Sequence, residues 1–368
     1  MKPLFCTISV VAVCLSFSIC SLKTQADPIP RKYRSHIKKG LDFLARLESK
    51  GDIRRGNYPI AMTAMAGTAL LMDGSTMRSG KYSKNIRSIT DYLIKKSQPN
   101  GLIGDTRIPA ESRQYMYGHG FSTLYLASVY GDEGTKDRRE ELKDVLTRAV
   151  KFIGNAQSTQ GGWYYTSSKD NGDRDEGSVT ITQVQALRAC RNAGIEVPFE
   201  YIKKAQDYLK KSTTTRGGVI YSLGRGRIVR TGGERPALTA AAISCGYGFG
   251  DYKSDIVKKW FKYCESAGVK LSNPNSSIRY GHYEYTHYYY AQAVYILGDD
   301  GWEKLFQEKN GLTWKAYRAK MFAKLASEQN QTTGGWTGRT SRIGPVYTTA
   351  INLTIMQLDG NVLPIYQR

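Results

Sequence analysis

The sequence is poor in the features that mark many enzyme classes. Only six cysteines occur, and three of them (Cys6, Cys14 and Cys20) fall in the first 26 residues. The remainder, Cys190, Cys245 and Cys264, is an odd and sparse set that cannot build a disulfide framework, although Cys245 and Cys264 could pair. No Cys-x-x-Cys or His-Glu-x-x-His pattern is present, so the common zinc spacings are excluded. A phosphate loop, a Gly-x-Ser-x-Gly nucleophile turn and a Cys-Gly-Glu-Gln thioester sequence are also lacking; "GRGR" at 224–227 is only a basic loop. Strand-like alternation never runs long enough to challenge an all-helical reading. After residue 26 no segment is apolar enough to span a bilayer.

Acidic residues are scarce as well. Against 53 Lys and Arg stand 32 Asp and Glu, a formal balance of +21. The opening segment contributes little to this. Lys2, an uncharged run from Pro3 to Leu22, then Lys23 and "TQA" read as an export signal cleaved after Ala26, or else as an N-terminal membrane anchor. The expected domains are thus a signal at 1–26 and one domain at 27–368. Removing Met1–Ala26 takes away Lys2 and Lys23 and no acid, which lowers the balance of +21 by two, to +19. Such a chain suits an anionic partner such as a membrane surface or acidic polysaccharide; nucleic acid is not expected.

What the sequence does have is a repeat. Six segments are amphipathic, with apolar residues three or four apart: "HIKKGLDFLARLESK", "KNIRSITDYLIKK", "REELKDVLTRAVKFIG", "FEYIKKAQDYLKK", "SDIVKKWFKYC" and "WKAYRAKMFAKLAS". Alternating with them are six nearly uncharged segments: "YPIAMTAMAGTALLM", "YGHGFSTLYLASVYG", "GSVTITQVQALRAC", "RPALTAAAISCGYGF", "YTHYYYAQAVYILG" and "PVYTTAINLTIMQL". A helix without a polar face must be enclosed by protein. Six enclosed helices alternating with six half-exposed ones predict an all-α fold, an α/α toroid with an inner and an outer barrel; an open solenoid is the competing arrangement. "QSTQGGW" at 157–163 and "QNQTTGGW" at 329–336 each end an outer helix. Worn copies stand at "SQPNGLIGD" and "TTTRGGVIY". In each, glycine supplies a cheap helix stop.

These residues carry a resemblance. Arg148, Ala149, Phe152, Ile153, Gln157, Gly161 and Trp163 resemble the QW repeat of squalene-hopene and oxidosqualene cyclases, and Phe322, Leu325, Gln329, Gly334 and Trp336 form a copy looser by one residue. The pairing of helices is similar to the terpenoid cyclase and protein prenyltransferase toroid superfamily. Several segments, among them "YTHYYYAQAVY" and the terminal "LPIYQR", look like exported proteins carrying prenyltransferase and squalene oxidase repeats. The resemblance implies a hydrophobic isoprenoid or lipid ligand and, if the chain is catalytic, an activity like a cyclase isomerase or a prenyltransferase. It also implies that Asp175 in "GDRDEG" matches the protonating acid of the cyclase DxDD motif, with Asp173 and Glu176 beside it; here the last Asp is Glu. The plain alternative is that acids preceding a helix stabilise its N-terminus.

Aromatic residues supply the other expectation. Tyr285 and Tyr289 share a helix face, as do His287 and Tyr290, and Tyr117 and His119 open the second uncharged helix. Rings in a cavity hold carbocations by cation–π attraction; the alternative is packing between the two barrels. Tyr285, His287, Tyr289, Tyr117 and His119 are the expected ligand-binding residues. "YTHYYY" also resembles the zinc-binding histidine region of protein farnesyltransferase, but the Asp-x-Cys partners are missing, so no metal or other cofactor is expected. A non-catalytic envelope scaffold with a basic surface, or an (α/α)6 enzyme acting on polysaccharide, are the other functions that fit.

Overall fold

A computed structural model describes residues 29–224, 232–269, 282–338 and 343–368. The expected signal segment, and with it export, lies outside the described residues. In chain order the helices are α1 (Arg31–Ser49), α2 (Pro59–Leu71), α3 (Ser83–Lys95), α4 (Pro109–Val129), α5 (Lys136–Ala156), α6 (Ser168–Asn171) and α7 (Gly177–Asn192). They continue with α8 (Phe199–Ser212), α9 (Pro236–Gly248), α10 (Asp255–Ser266), α11 (Tyr283–Leu297), α12 (Gly301–Phe306), α13 (Trp314–Glu328) and α14 (Pro345–Gln357). Among the described residues there are only isolated β-bridges and no strand. The six uncharged segments are α2, α4, α7, α9, α11 and α14; the six amphipathic ones are α1, α3, α5, α8, α10 and α13. The short α6 and α12 are additions to the repeat.

The uncharged helices pack in sequence, α2 on α4, α4 on α7, α7 on α9, α9 on α11 and α11 on α14, and α14 then packs on α2. The ring is closed. Every residue of α2 is buried, as the lack of a polar face requires. Outside it α1 touches α13, α14, α2 and α3, which closes the outer wall over the same seam. At that seam Gly40 on α1 is a close-approach glycine: an added Cβ would stand 2.8 Å from the Trp336 ring and 2.9 Å from Leu353. The architecture is the all-α, double-walled toroid of six inner and six outer helices. None of the described helices is long and apolar enough to cross a membrane.

The Gln–Gly–Trp corners weld neighbouring repeats. After α5, Gln157 donates from Nε2 to the Gly161 carbonyl and to that of Tyr201 at the start of α8, both at 2.9 Å. Trp163 folds back and donates from Nε1 to the Ile153 carbonyl at 2.7 Å. Its ring is fully buried, which removes roughly 200 Å² from water, about 5 kcal/mol of transfer free energy before entropy is counted. Gly161 has φ 96°, and a Cβ there would lie 2.1 Å from the Lys204 carbonyl oxygen, so only glycine fits. The last corner repeats this across the seam. Gln329 Nε2 donates to the His36 carbonyl on α1 at 2.8 Å, and Trp336 Nε1 donates to the Leu325 carbonyl at 2.7 Å.

One end of the inner barrel is sealed by the C-terminal segment. Tyr366, in a short 3-10 turn at Pro364–Tyr366 that packs on α7, is buried and shares a 3.0 Å hydroxyl–hydroxyl bond with Tyr288.

Candidate functional site at the mouth of the inner barrel

At the other end lies a cavity of about 580 Å³, within the range of small-ligand sites. Its wall takes residues from the first turns of all six inner helices or their caps: Tyr58, Glu111, Ser178, Arg235, His282 and Tyr347 stand one per helix, α2 to α14 in order. The six inner helices therefore run parallel, with their N-termini around one opening. Proline at the first helical position begins four of them, at Pro59, Pro109, Pro236 and Pro345.

The lining has two characters. Met62, Met65, Phe121 and Leu238 give an apolar part. Tyr58, Tyr117, Tyr165, Tyr221, Tyr285 and Tyr347 give an aromatic belt, and Glu111, Gln114, Glu234, Arg235 and His282 the polar groups. Arg235, His282 and Ile343 are exposed, so the cavity opens to solvent past them. The belt is fixed by its own hydroxyls. Tyr165 and Tyr221 share a bond at 2.6 Å, Tyr117 bonds Ser178 Oγ at 2.5 Å, and Tyr285 donates to the Ser178 carbonyl at 2.5 Å. The hydroxyls of Tyr117, Tyr165, Tyr221 and Tyr285 are therefore already engaged within the chain.

Two carboxyl groups line this cavity in opposite states. Glu111 is 2 % exposed; burial pushes its carboxyl up to about 7, against backbone N–H groups of Ile60 (3.0 Å) and Asp105 (3.5 Å) that favour the ion. Partial burial also pushes Glu234 upward, but it is outweighed by its own and the Gly232 backbone N–H groups and by Thr214 Oγ, and its carboxyl is lowered. Burial thus makes one carboxyl hold its proton more tightly than a free carboxyl does, while hydrogen bonding makes the other release it more readily.

The residues expected from sequence are distributed as follows. Tyr117 and Tyr285 line the cavity. Glu176 sits just behind it as the N-cap of α7, accepting from the Ser178 and Val179 backbone N–H groups, both at 2.8 Å; burial pushes its carboxyl up to about 7. Asp175 and Asp173 are not among the lining residues. Asp175 is buried, with Oδ1 accepting from the Leu223 N–H at 2.9 Å and Oδ2 without a partner among the described residues, and burial raises its carboxyl. Asp173, with φ 66°, accepts from the Thr159 N–H at 2.7 Å and ties down the Trp163 corner.

Tyr289 is fully buried beneath Tyr285, with ring centres 4.8 Å apart. His287 faces the outer wall, its Nδ1 2.8 Å from the Tyr317 hydroxyl, beside a smaller cavity of about 200 Å³ between α11, α13 and α14. Burial, with Lys324 second, lowers its imidazole to about 3. His119 is fully buried: Nδ1 accepts from the Ile103 N–H at 3.0 Å, Nε2 faces the Ala149 carbonyl at 3.3 Å, and burial lowers it to about 4. Both rings are neutral at physiological pH. Among the described residues no group of three His, Cys, Asp or Glu is placed to hold a metal ion. Cys190, Cys245 and Cys264 are free and buried, so Cys245 and Cys264 are not paired.

Glu111, Glu234 and Arg235 were missed by the sequence patterns, since they stand at helix entries where no periodicity is read. The prolines were the available signal: the mouth is built from residues flanking them.

No protein-family model and no curated protein matches the chain. Solved structures do share its architecture. A UGL variant with dGlcA-Glc-Rha-Glc aligns with a TM-score of 0.61 at 11% identity, over 91% of this chain and 99% of that one. An inactive variant of the α-1,6-mannanase GH76A of Salegentibacter sp. HEL1_6, in complex with α-1,6-mannotriose, gives 0.56 at 10%, over 89% and 99%. The type II terpene cyclase MstE from Scytonema, with geranylgeranyl dihydroxybenzoate, gives 0.49 at 13%, over 89% and 98%. The first two share the fold.

Proposed function

We propose that the chain binds and hydrolyses a glycan in the mouth cavity, with Glu111 as proton donor and Glu234 as base. The observation that carries this reading is the pair of carboxyls lining one aromatic cavity with their proton affinities driven apart. Environments that separate two carboxyls in this way assign acid and base roles. Glu111 would give its proton to the glycosidic oxygen as the bond from that oxygen to the anomeric carbon breaks. Glu234 would take a proton from the water whose oxygen bonds to the same carbon. The faces of Tyr58, Tyr165, Tyr221 and Tyr347 suit the flat apolar sides of sugar rings. The UGL and mannanase structures hold oligosaccharides; the likeness to them is of fold, and the cavity's own chemistry makes the reading specific. Export by residues 1–26 is part of it, since glycans outside the cytoplasm are the substrates such a chain would meet.

The test is release of reducing ends from a broad set of polysaccharides. Glu111→Gln and Glu234→Gln should each reduce the rate about 10²–10⁴-fold. In Glu111→Gln the side-chain amide oxygen can still accept from the Ile60 N–H, so the fold should survive. Failure of the folded wild type to cut or bind any glycan would discard the reading.

A second reading has its own observation. The apolar part formed by Met62, Met65, Phe121 and Leu238 suits a hydrophobic isoprenoid or lipid, held rather than chemically altered. Mass spectrometry of organic extracts of the purified protein tests it: a stoichiometric isoprenoid, together with no glycan binding, would favour this reading over the first.

A further inference from the structure

Arg235 is the one fixed cation among the described residues that line the cavity. It precedes Pro236 at the entry of α9, held in place by its backbone N–H donating to the Val219 carbonyl at 2.9 Å. Its guanidinium lies over the Tyr221 ring, 5.1 Å from the centroid, and the Tyr221 hydroxyl is held by Tyr165. Ring and guanidinium therefore form a supported pair at the opening. Among the described residues no carboxylate neutralises it, although Glu234 is its neighbour in sequence: Glu234 is engaged by Thr214 and the Gly232 N–H instead. Elsewhere in the protein arginines beside buried carboxylates are paired with them, as Arg54 is with Glu48 and Arg318 with Asp359. A fork of five donors held on an aromatic face, in a cavity and without a counter-ion, is chemically matched to an anionic group on an incoming ligand.

We infer that the glycan taken by the mouth cavity carries an anionic substituent, a carboxylate or a sulfate, and that Arg235 on Tyr221 is the residue that selects it. The inference rests on the glycan reading above and adds the substrate's charge. Arg235 determines specificity and takes no part in the proton transfers of Glu111 and Glu234.

The experiment is a glycan array spanning neutral, uronate-bearing and sulfated oligosaccharides, probed with the full chain and followed by titration of the strongest binders. Binding should concentrate on the charged glycans, weaken as salt rises, and be lost on methyl esterification if the group is a carboxylate. Sulfated features alone would identify the other source of the same charge. Arg235→Gln should bind the charged glycan about ten- to a hundred-fold more weakly, with neutral glycans unaffected. Arg235→Lys should restore part of the affinity, because it keeps the charge and loses the fork. Since Arg235 is exposed and has no ion pair to lose, melting of both variants should match the wild type. Equal wild-type binding to charged and neutral glycans would overturn this inference and leave the glycan reading standing. Binding to no glycan at all would overturn both.

Discussion

The Gln157–Trp163 corner and the cavity mouth meet on the first turn of α7, yet they treat polar groups in opposite ways. At the corner the main polar groups are matched: Trp163 N–H to Thr180 Oγ1 at 3.0 Å, Glu176 N–H to the Trp163 carbonyl at 2.8 Å, and the indole N–H to Ile153. Two residues away, Ser178 belongs to the mouth, where burial raises the carboxyls of Glu111 and of Glu176 just behind it, and Arg235 has no ion pair among the described residues. The corner's backbone and indole donors are satisfied within the chain, although the buried Gln157 Oε1 and Ser158 Oγ meet no partner among the described residues. The mouth keeps its carboxyls and Arg235 on the wall of an open cavity. Stability should therefore be concentrated in the corners and chemistry in the mouth, and variants can separate the two.

The largest expected effect is at the corner. Trp163→Ala should cost about 3–5 kcal/mol of unfolding free energy, because it empties a fully enclosed site and removes the tie to Ile153. Urea unfolding monitored by circular dichroism measures it. The mouth variants Glu111→Gln and Arg235→Gln should stay much closer to wild type in the same measurement while losing rate or affinity. A stability loss at Arg235 comparable with that at Trp163 would erase the distinction.

The next effect is in the pH dependence, and it falls on the junction residue Glu176. Its carboxyl is raised to about 7 in the folded chain by burial, against about 4.3 when unfolded. The folded state then holds a proton that the unfolded state has released, so this group's contribution is fully present below about pH 4.3 and is lost as pH rises to 7. Buried His119 and His287, lowered to about 4 and about 3, act with the opposite sign: their contribution is present above about 6.5 and lost as pH falls. Glu111, raised to about 7 as well, brings the carboxyls to two against two histidines, so the wild type should show a shallow profile between about pH 4.5 and 6.5. In Glu176→Gln the histidines face less opposition. Its stability relative to wild type should climb with pH across that window, by about 3 kcal/mol in all. Denaturation midpoints at half-unit pH steps would show it, and a flat difference curve would mean that Glu176 is ionised in the fold.

Much of the wall was legible in the residues and little of the mouth. Charge-free segments such as "YPIAMTAMAGTALLM" can only be enclosed, so six of them alternating with amphipathic helices dictate two layers. The glycine–tryptophan corners likewise follow from one φ and one ring. Other features depend on how chain entries meet in space. Asp175 stands in a DxDD-like string, but in the fold its Oδ1 accepts from the Leu223 N–H and it is not among the residues lining the mouth. His287 shares a helix with Tyr285 yet points outward, because residues two apart lie on different faces. The second inner helix begins at Pro109, eight residues before the uncharged stretch at Tyr117, with a non-helical Gln114 (φ −147°) in between. That early start is what brings Glu111 to the mouth.

The smallest effect separates the corners from one another. In three of them the backbone N–H that ends the corner finds a threonine on the inner helix: Trp163 with Thr180, Val219 with Thr239 and Trp336 with Thr349, at 3.0, 2.9 and 2.9 Å. In the corner after α3 Ile103 uses His119 Nδ1 instead. Threonine accepts at every pH, whereas the imidazole can accept only while Nδ1 is unprotonated, which holds above about pH 4. Thr180→Val keeps the shape and leaves the buried Trp163 N–H without an acceptor, so it should cost about 1–3 kcal/mol. Native-state hydrogen exchange gives the sharper comparison. In the wild type below about pH 4, protection of the Ile103 amide should fall relative to Trp163, Val219 and Trp336, while in Thr180→Val the Trp163 amide should lose protection at neutral pH. If all four amides keep the same relative protection as His119 is protonated, the imidazole is not the acceptor that sets this corner, and the ring serves the Ala149 carbonyl and Phe152, whose centroid lies 4.9 Å away.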